Sequence, residues 1–181
     1  MIVTKCLRWS CSLTAIVFAL SAAAAFAQDE SVSEIRYKDD YDQLQKIVKI
    51  SEPAKRAEQM LSFYRGRSDI DPKLSEYADN IFAKDLEILN KQGSYTAMKG
   101  LSERAIKLRP KFGEAYFFYA LALKFDKKTN EAMNAFAKCY LIPNTFQKKA
   151  KEQLDIIYRS VSGGSLVGED KIIKNAQKEL K

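Results

Sequence analysis

The apolar period constrains this chain most. From Leu44 almost to the C-terminus, apolar residues recur at three- and four-residue spacing, and no stretch alternates apolar and polar residues long enough to suggest a strand. Leu44, Ile47 and Val48 mark a first helix from about Asp39 to Ser51. Ser51 suits an N-cap and Pro53 a first turn, ahead of Ala57, Met60, Leu61 and Tyr64, with Gly66 as the stop. Asp71-Pro72 opens a third helix carrying Leu74, Ala78, Ile81, Phe82, Leu86 and Leu89; a fourth carries Leu101, Ala105, Ile106 and Leu108 and closes at Arg109-Pro110. The fifth runs from about Phe112 to Phe125 and the sixth from Asn130 to Leu141, stopped by Pro143. Thr145 begins a seventh with Phe146, Ala150, Leu154 and Ile157, and an eighth near Glu169 to Leu180 presents Ile172, Ile173, Ala176 and Leu180. Connections this short make neighbours antiparallel. The expected fold class is all-α, with antiparallel helix pairs stacked as a short solenoid that ends in a capping helix pair.

The first residues read differently. Lys5 and Arg8 precede an apolar stretch from Leu13 to Ala25, and Ala25-Phe26-Ala27 places small residues where a signal peptidase reads them. The apolar stretch is short for a bilayer span, which needs about 20 residues. Residues 1–27 are therefore expected to be a secretory signal peptide cleaved after Ala27, 28–38 a mobile polar leader, and 39–181 the helical domain. The expected location is the periplasm or beyond it, with peripheral envelope association compatible.

Composition then removes whole classes of function. The full chain has no histidine, so Ser-His and Cys-His catalysis and histidine-ligated zinc or haem are excluded. Cys6 and Cys11 leave with the signal peptide, so Cys139 has no partner for an internal disulfide. The formal net charge of +7 leans toward anionic partners, and export argues against nucleic acid. Gly163-Gly164-Ser165-Leu166-Val167-Gly168 fails as a phosphate loop, because Glu169 stands where the lysine belongs and no strand precedes it. Carboxylates such as Asp39, Asp40, Glu76 and Asp79 fit a solvated helix face, and Cys139 fits a small buried slot. No catalytic residue, metal ligand or cofactor is expected, and the chain does not read as an enzyme.

Internal similarity organises the helices. In the segment 79–112 stand Phe82, Leu86, Leu89, Gly93, Tyr95, Met98, Ala105 and Pro110; in 113–145, Tyr116, Ala120, Leu123, Lys127, Thr129, Ala132, Cys139 and Pro143 take their places. Both segments resemble the tetratricopeptide repeat, most clearly in Lys91-Gln92-Gly93-Ser94-Tyr95 and in Ala105-Ile106-Lys107-Leu108-Arg109-Pro110. Met98, Ser102 and the early close of the second segment depart from the family pattern.

The resemblance implies a concave face lined by Asn80, Ala83, Glu87, Asn90 and Lys91 in the first unit and by Glu114, Phe117, Leu121, Lys124 and Phe125 in the second. The lysine and asparagine of the family's carboxylate clamp are replaced by Ala83 and Glu87, so binding of chaperone tails is not expected. The expected protein-binding groove is Glu87, Asn90, Lys91, Phe117, Leu121 and Lys124, with Phe117 as the apolar anchor and Tyr116 and Tyr119 turned inward. Its partner is a protein or peptide segment with an apolar anchor and acidic character. Such a chain is expected to be an exported scaffold or adaptor in the assembly or maintenance of a cell-envelope complex. The second reading is a non-catalytic protein that binds envelope polymer through the lysines at 147–151 and 171–181.

Overall fold

The computed structural model describes residues 33–67 and 69–181, so the expected signal peptide and its cleavage site lie outside the described residues. The chain divides into two compact units, Met1–Asp42 and Gln43–Lys181. In the first, residues 33–42 form the start of helix α1 (33–48). The polar stretch 33–38, expected as part of a mobile leader, is helical; it holds no Gly or Pro, and Glu34, Arg36 and Lys38 are good helix formers that need no buried face.

The second unit holds the end of α1 and then α2 (Pro53–Arg65), α3 (Pro72–Lys91), α4 (Tyr95–Leu108), α5 (Gly113–Phe125), α6 (Thr129–Leu141), α7 (Gln147–Val161) and α8 (Glu169–Glu179). Among the described residues no strand forms, and no helix is long and apolar enough to cross a membrane. From α2 to α7, each helix packs on the next; α2 also reaches α4, α3 reaches α5, and α6 reaches α8. Contacts to both the next helix and the next but one are what stacked helix pairs make. The fold is thus all-α and solenoid-like.

The turns carry the same repeat in backbone form. The α3 end closes with Gln92 N–H on the Ile88 carbonyl and Ser94 N–H on that of Leu89; the α5 end does the same with Asp126 on Ala122 and Lys128 on Leu123. The α7 end follows, with Ser162 on Tyr158 and Gly164 on Arg159. Each turn has a left-handed residue at the same place: Gly93 (φ 69°), Lys127 (φ 59°) and Gly163 (φ 67°). By contrast, α4 and α6 end in extended residues, Arg109 (φ −137°, ψ 82°) and Ile142 (φ −96°, ψ 130°), each followed by proline, which disfavours a helical conformation before it. Lys127 bears a left-handed strain that glycine at 93 and 163 avoids. Lys127→Gly is therefore expected to stabilise by about 0.5–1 kcal/mol in chemical denaturation, while Gly93→Lys lowers stability.

Packing depends on α5, whose sequence GEAYFFYALALKF is apolar on every side and buries Ala115, Tyr116, Phe117, Phe118, Ala120, Ala122 and Leu123. A helix buried all round has no polar stripe. Ala132, Ala135 and Ala137 on α6 and Ala115, Ala120 and Ala122 on α5 are small enough for the two axes to approach closely, while Phe118 and Phe136 fill the grooves beside them.

Two polar networks fix the register of α2 on α3. Arg56 Nε donates to both Asp85 carboxylate oxygens at 3.0 Å, its Nη2 forms a further short bond to Asp85, and its Nη1 donates to the Ile50 carbonyl at 2.5 Å. Asp85 is fully buried; burial pushes its carboxyl above the usual range, and the opposing pull of Arg56 does not cancel that. Nearby, Tyr64 Oη donates to Asp79 Oδ1 at 2.7 Å, and Arg109 pairs with the same oxygen while lying 4.9 Å over the Tyr64 ring. Asp71 caps α3, accepting from Lys73 N–H at 2.9 Å and Leu74 N–H at 3.3 Å, with Pro72 at the first helical position. The N-cap of α2 is Glu52 and not Ser51, and makes no side-chain cap bond.

Candidate protein-binding face

The face expected from the sequence draws on α3 and α5. On α3, Glu87 and Lys91 form an ion pair at 2.8 Å along the helix. The Lys91 hydrogen bond holds the Glu87 carboxyl below its ordinary range, and the charges of Lys149 and Lys84 add to the effect. Lys149 lies on α7, with its Nζ 5.5 Å from the centre of the Phe146 ring. On α5, exposed Lys124 donates to Gln153 Oε1 of α7 at 2.9 Å. Leu121 is half-buried against the core, and Asn90 is half-buried with its carbonyl accepting the Gly93 N–H at 3.1 Å. Of the expected groove residues, Glu87, Lys91 and Lys124 are thus set among neighbours on α3 and α7.

Phe117 is a correction. It is 7% exposed and stacks on Phe146 with centroids 4.6 Å apart and planes at 15°. Phe118 and Phe136 meet its edges at 5.5 and 5.7 Å. Phe146, just ahead of α7, covers the ring that a two-helix reading leaves facing the groove, so Phe117 belongs to the core. Tyr116 is buried as expected, and Tyr119 only partly so. Glu114 is also absorbed structurally: its Oε1 accepts from Thr145 N–H and Oγ1, both at 3.2 Å.

The exposed ring on α5 is Phe125, 62% accessible and stacked on Tyr95 of α4 with centroids 4.0 Å apart and planes at 25°. The resemblance already places it among the concave-face positions of the second unit. Three clefts lie elsewhere. One of about 460 Å³ is lined by residues including Gln43, Ile47 and Gln59, one of about 510 Å³ by residues including Tyr64, Arg67 and Arg109, and one of about 290 Å³ by residues including Tyr116, Tyr119 and Lys138. None of the three is lined by an expected groove residue.

Among the described residues no three carboxylates or thiols converge closely enough to hold a metal ion. Cys139 is fully buried in α6, with its Sγ 3.6 Å from Asn144 Oδ1, and burial pushes its thiol up to about 12. A thiol reagent at neutral pH is expected to leave native protein unmodified and to label Cys139 fully after denaturation, read by intact mass. Rapid native labelling would mean that α6 is packed differently.

By fold, this is an all-α, solenoid-like stack of helix pairs. Compared with protein-family models, with curated proteins and with solved structures, the chain matches none of them.

Proposed function

We propose that this chain is an exported adaptor of tetratricopeptide type that binds an acidic protein segment in a cell-envelope complex. The observation that carries the reading is that Lys124 of α5 donates to Gln153 of α7, while the charges of Lys91 on α3 and Lys149 on α7 both act on Glu87. Cations spread over successive helix pairs suit an extended segment that crosses the stack, since no single pair supplies the whole site. The repeated turns at Gly93, Lys127 and Gly163 support the repeat class, and the Ala25-Phe26-Ala27 motif supports export.

The second reading, polymer binding through the basic C-terminal helices, rests on the lysines at 147–151 of α7, Lys149 among them, and on Lys171, Lys174 and Lys178 of α8, of which Lys174 is already paired with Asp170 at 2.9 Å. Charge reversal separates the two. Lys91→Glu, Lys124→Glu and Lys149→Glu together are expected to abolish co-purification of the partner from the native cell, with far-UV circular dichroism and melting unchanged. Reversal of Lys171, Lys174 and Lys178 is expected to leave recovery intact. The opposite pattern would transfer the function to α8.

A further inference from the structure

Phe125 is a large apolar ring that the fold leaves in water, yet its position is fixed. It ends α5, and one of its faces lies against Tyr95 at the start of α4, at 4.0 Å and 25°, while the residue keeps 62% of its surface exposed. Stacking removes rotamer freedom before any partner arrives, so less ordering entropy is lost on contact. Cations lie close to it. Lys124 and Lys127 flank it in sequence and are exposed, and Lys91, paired with Glu87, ends α3 just ahead of the turn that leads to Tyr95. The acidic residue at this corner, Asp126, is tied to Lys99 of α4 by an ion pair.

We infer that the Tyr95–Phe125 stack is a docking point for one aromatic or large aliphatic side chain flanked by carboxylates in an acidic peptide segment. The inference rests on the protein-binding reading above and moves the apolar anchor from Phe117 to the corner where α3 and α5 end and α4 begins. The incoming side chain lies on the open face of Phe125, and its acidic neighbours reach Lys91, Lys124 and Lys127. Recognition therefore needs both parts. Charge alone draws any anion, and the ring alone draws any apolar group.

The test uses a fluorescein-labelled peptide of aspartate and glutamate around a single tryptophan, its counterpart with alanine at that place, and anionic phospholipid vesicles, each titrated into the full chain. The tryptophan peptide is expected to bind at least about tenfold more tightly than the alanine peptide. Phe125→Ser is expected to erase that difference and leave the alanine peptide's weak binding unchanged. Because Phe125 is exposed, the variant keeps its melting temperature. Equal binding of both peptides, or a tryptophan preference that survives Phe125→Ser, overturns the inference. If binding then falls with Lys149→Glu but not with Phe125→Ser, the charged face stands and the corner does not. Failure of both peptides to bind overturns both, and vesicle binding that depends on Phe125 in place of peptide binding assigns the corner to a membrane.

Discussion

Phe117→Ala is expected to lower stability by about 3–5 kcal/mol, the range for emptying a buried aromatic site. The ring is 7% exposed and touches Phe118, Phe136 and Phe146, so its loss opens a cavity where α5, α6 and the start of α7 meet. Chemical denaturation measures it. Phe146→Ala is expected to destabilise as well, and the two changes together by less than their sum, because each empties part of the same contact. A near-neutral Phe117→Ala would return that residue to the binding surface. The contrast with Phe125→Ser, which leaves melting unchanged, separates core from docking ring on a single helix.

Arg56→Met is expected to cost about 3–5 kcal/mol at neutral pH, because it leaves the Asp85 carboxylate buried and unpaired. The effect depends on pH with a definite sign. Asp85 already has a folded pKa above its unfolded value, and removing Arg56 raises it further. A carboxyl shifted upward makes the native state bind more protons than the unfolded state across the interval between the two pKa values. Stability therefore falls as pH rises through that interval, and the Arg56→Met deficit shrinks on acidification. Replacing both partners, Arg56→Met with Asp85→Leu, is expected to fall within about 1 kcal/mol of the parent or above it, since an apolar pair of similar volume has no charge to desolvate. Denaturant melts of the two variants across the acid range check both statements.

The elements that read correctly from sequence are those whose causes are local. Asp71-Pro72 starts α3 through a side-chain cap and a proline that lacks only a donor the helix does not use, and both lie within three residues. Gly93 and Lys127 align in the sequence and share one left-handed turn in the structure. Proline after Arg109 and after Ile142 ends α4 and α6 by sterics that act on one neighbour.

What failed depends on residues far along the chain. By its repeat position Phe117 reads as a groove residue; α5 instead buries it with Tyr116 and Phe118, because helices before and after it enclose its sides. The ring that covers Phe117 comes from residue 146, beyond the pair of helices in which Phe117 stands. In α8, of the apolar stripe Ile172, Ile173, Ala176 and Leu180, Ala176 alone is fully buried, and the other three are half-buried against the core. Periodicity reports that a face is apolar, and tertiary order decides what covers it. The charged part of the candidate site was legible as residue types at repeat positions, while the link from α3 to Lys149 came only from the fold.

A photo-crosslinking residue placed at 124 or at 149 in the native cell tests the central claim most directly, with position 107, an exposed lysine on α4, as the control. Adducts to one discrete protein from 124 and 149, and none from 107, are the predicted result. Adducts from 107 alone, or none from either face position while the protein remains folded and in place, would contradict it.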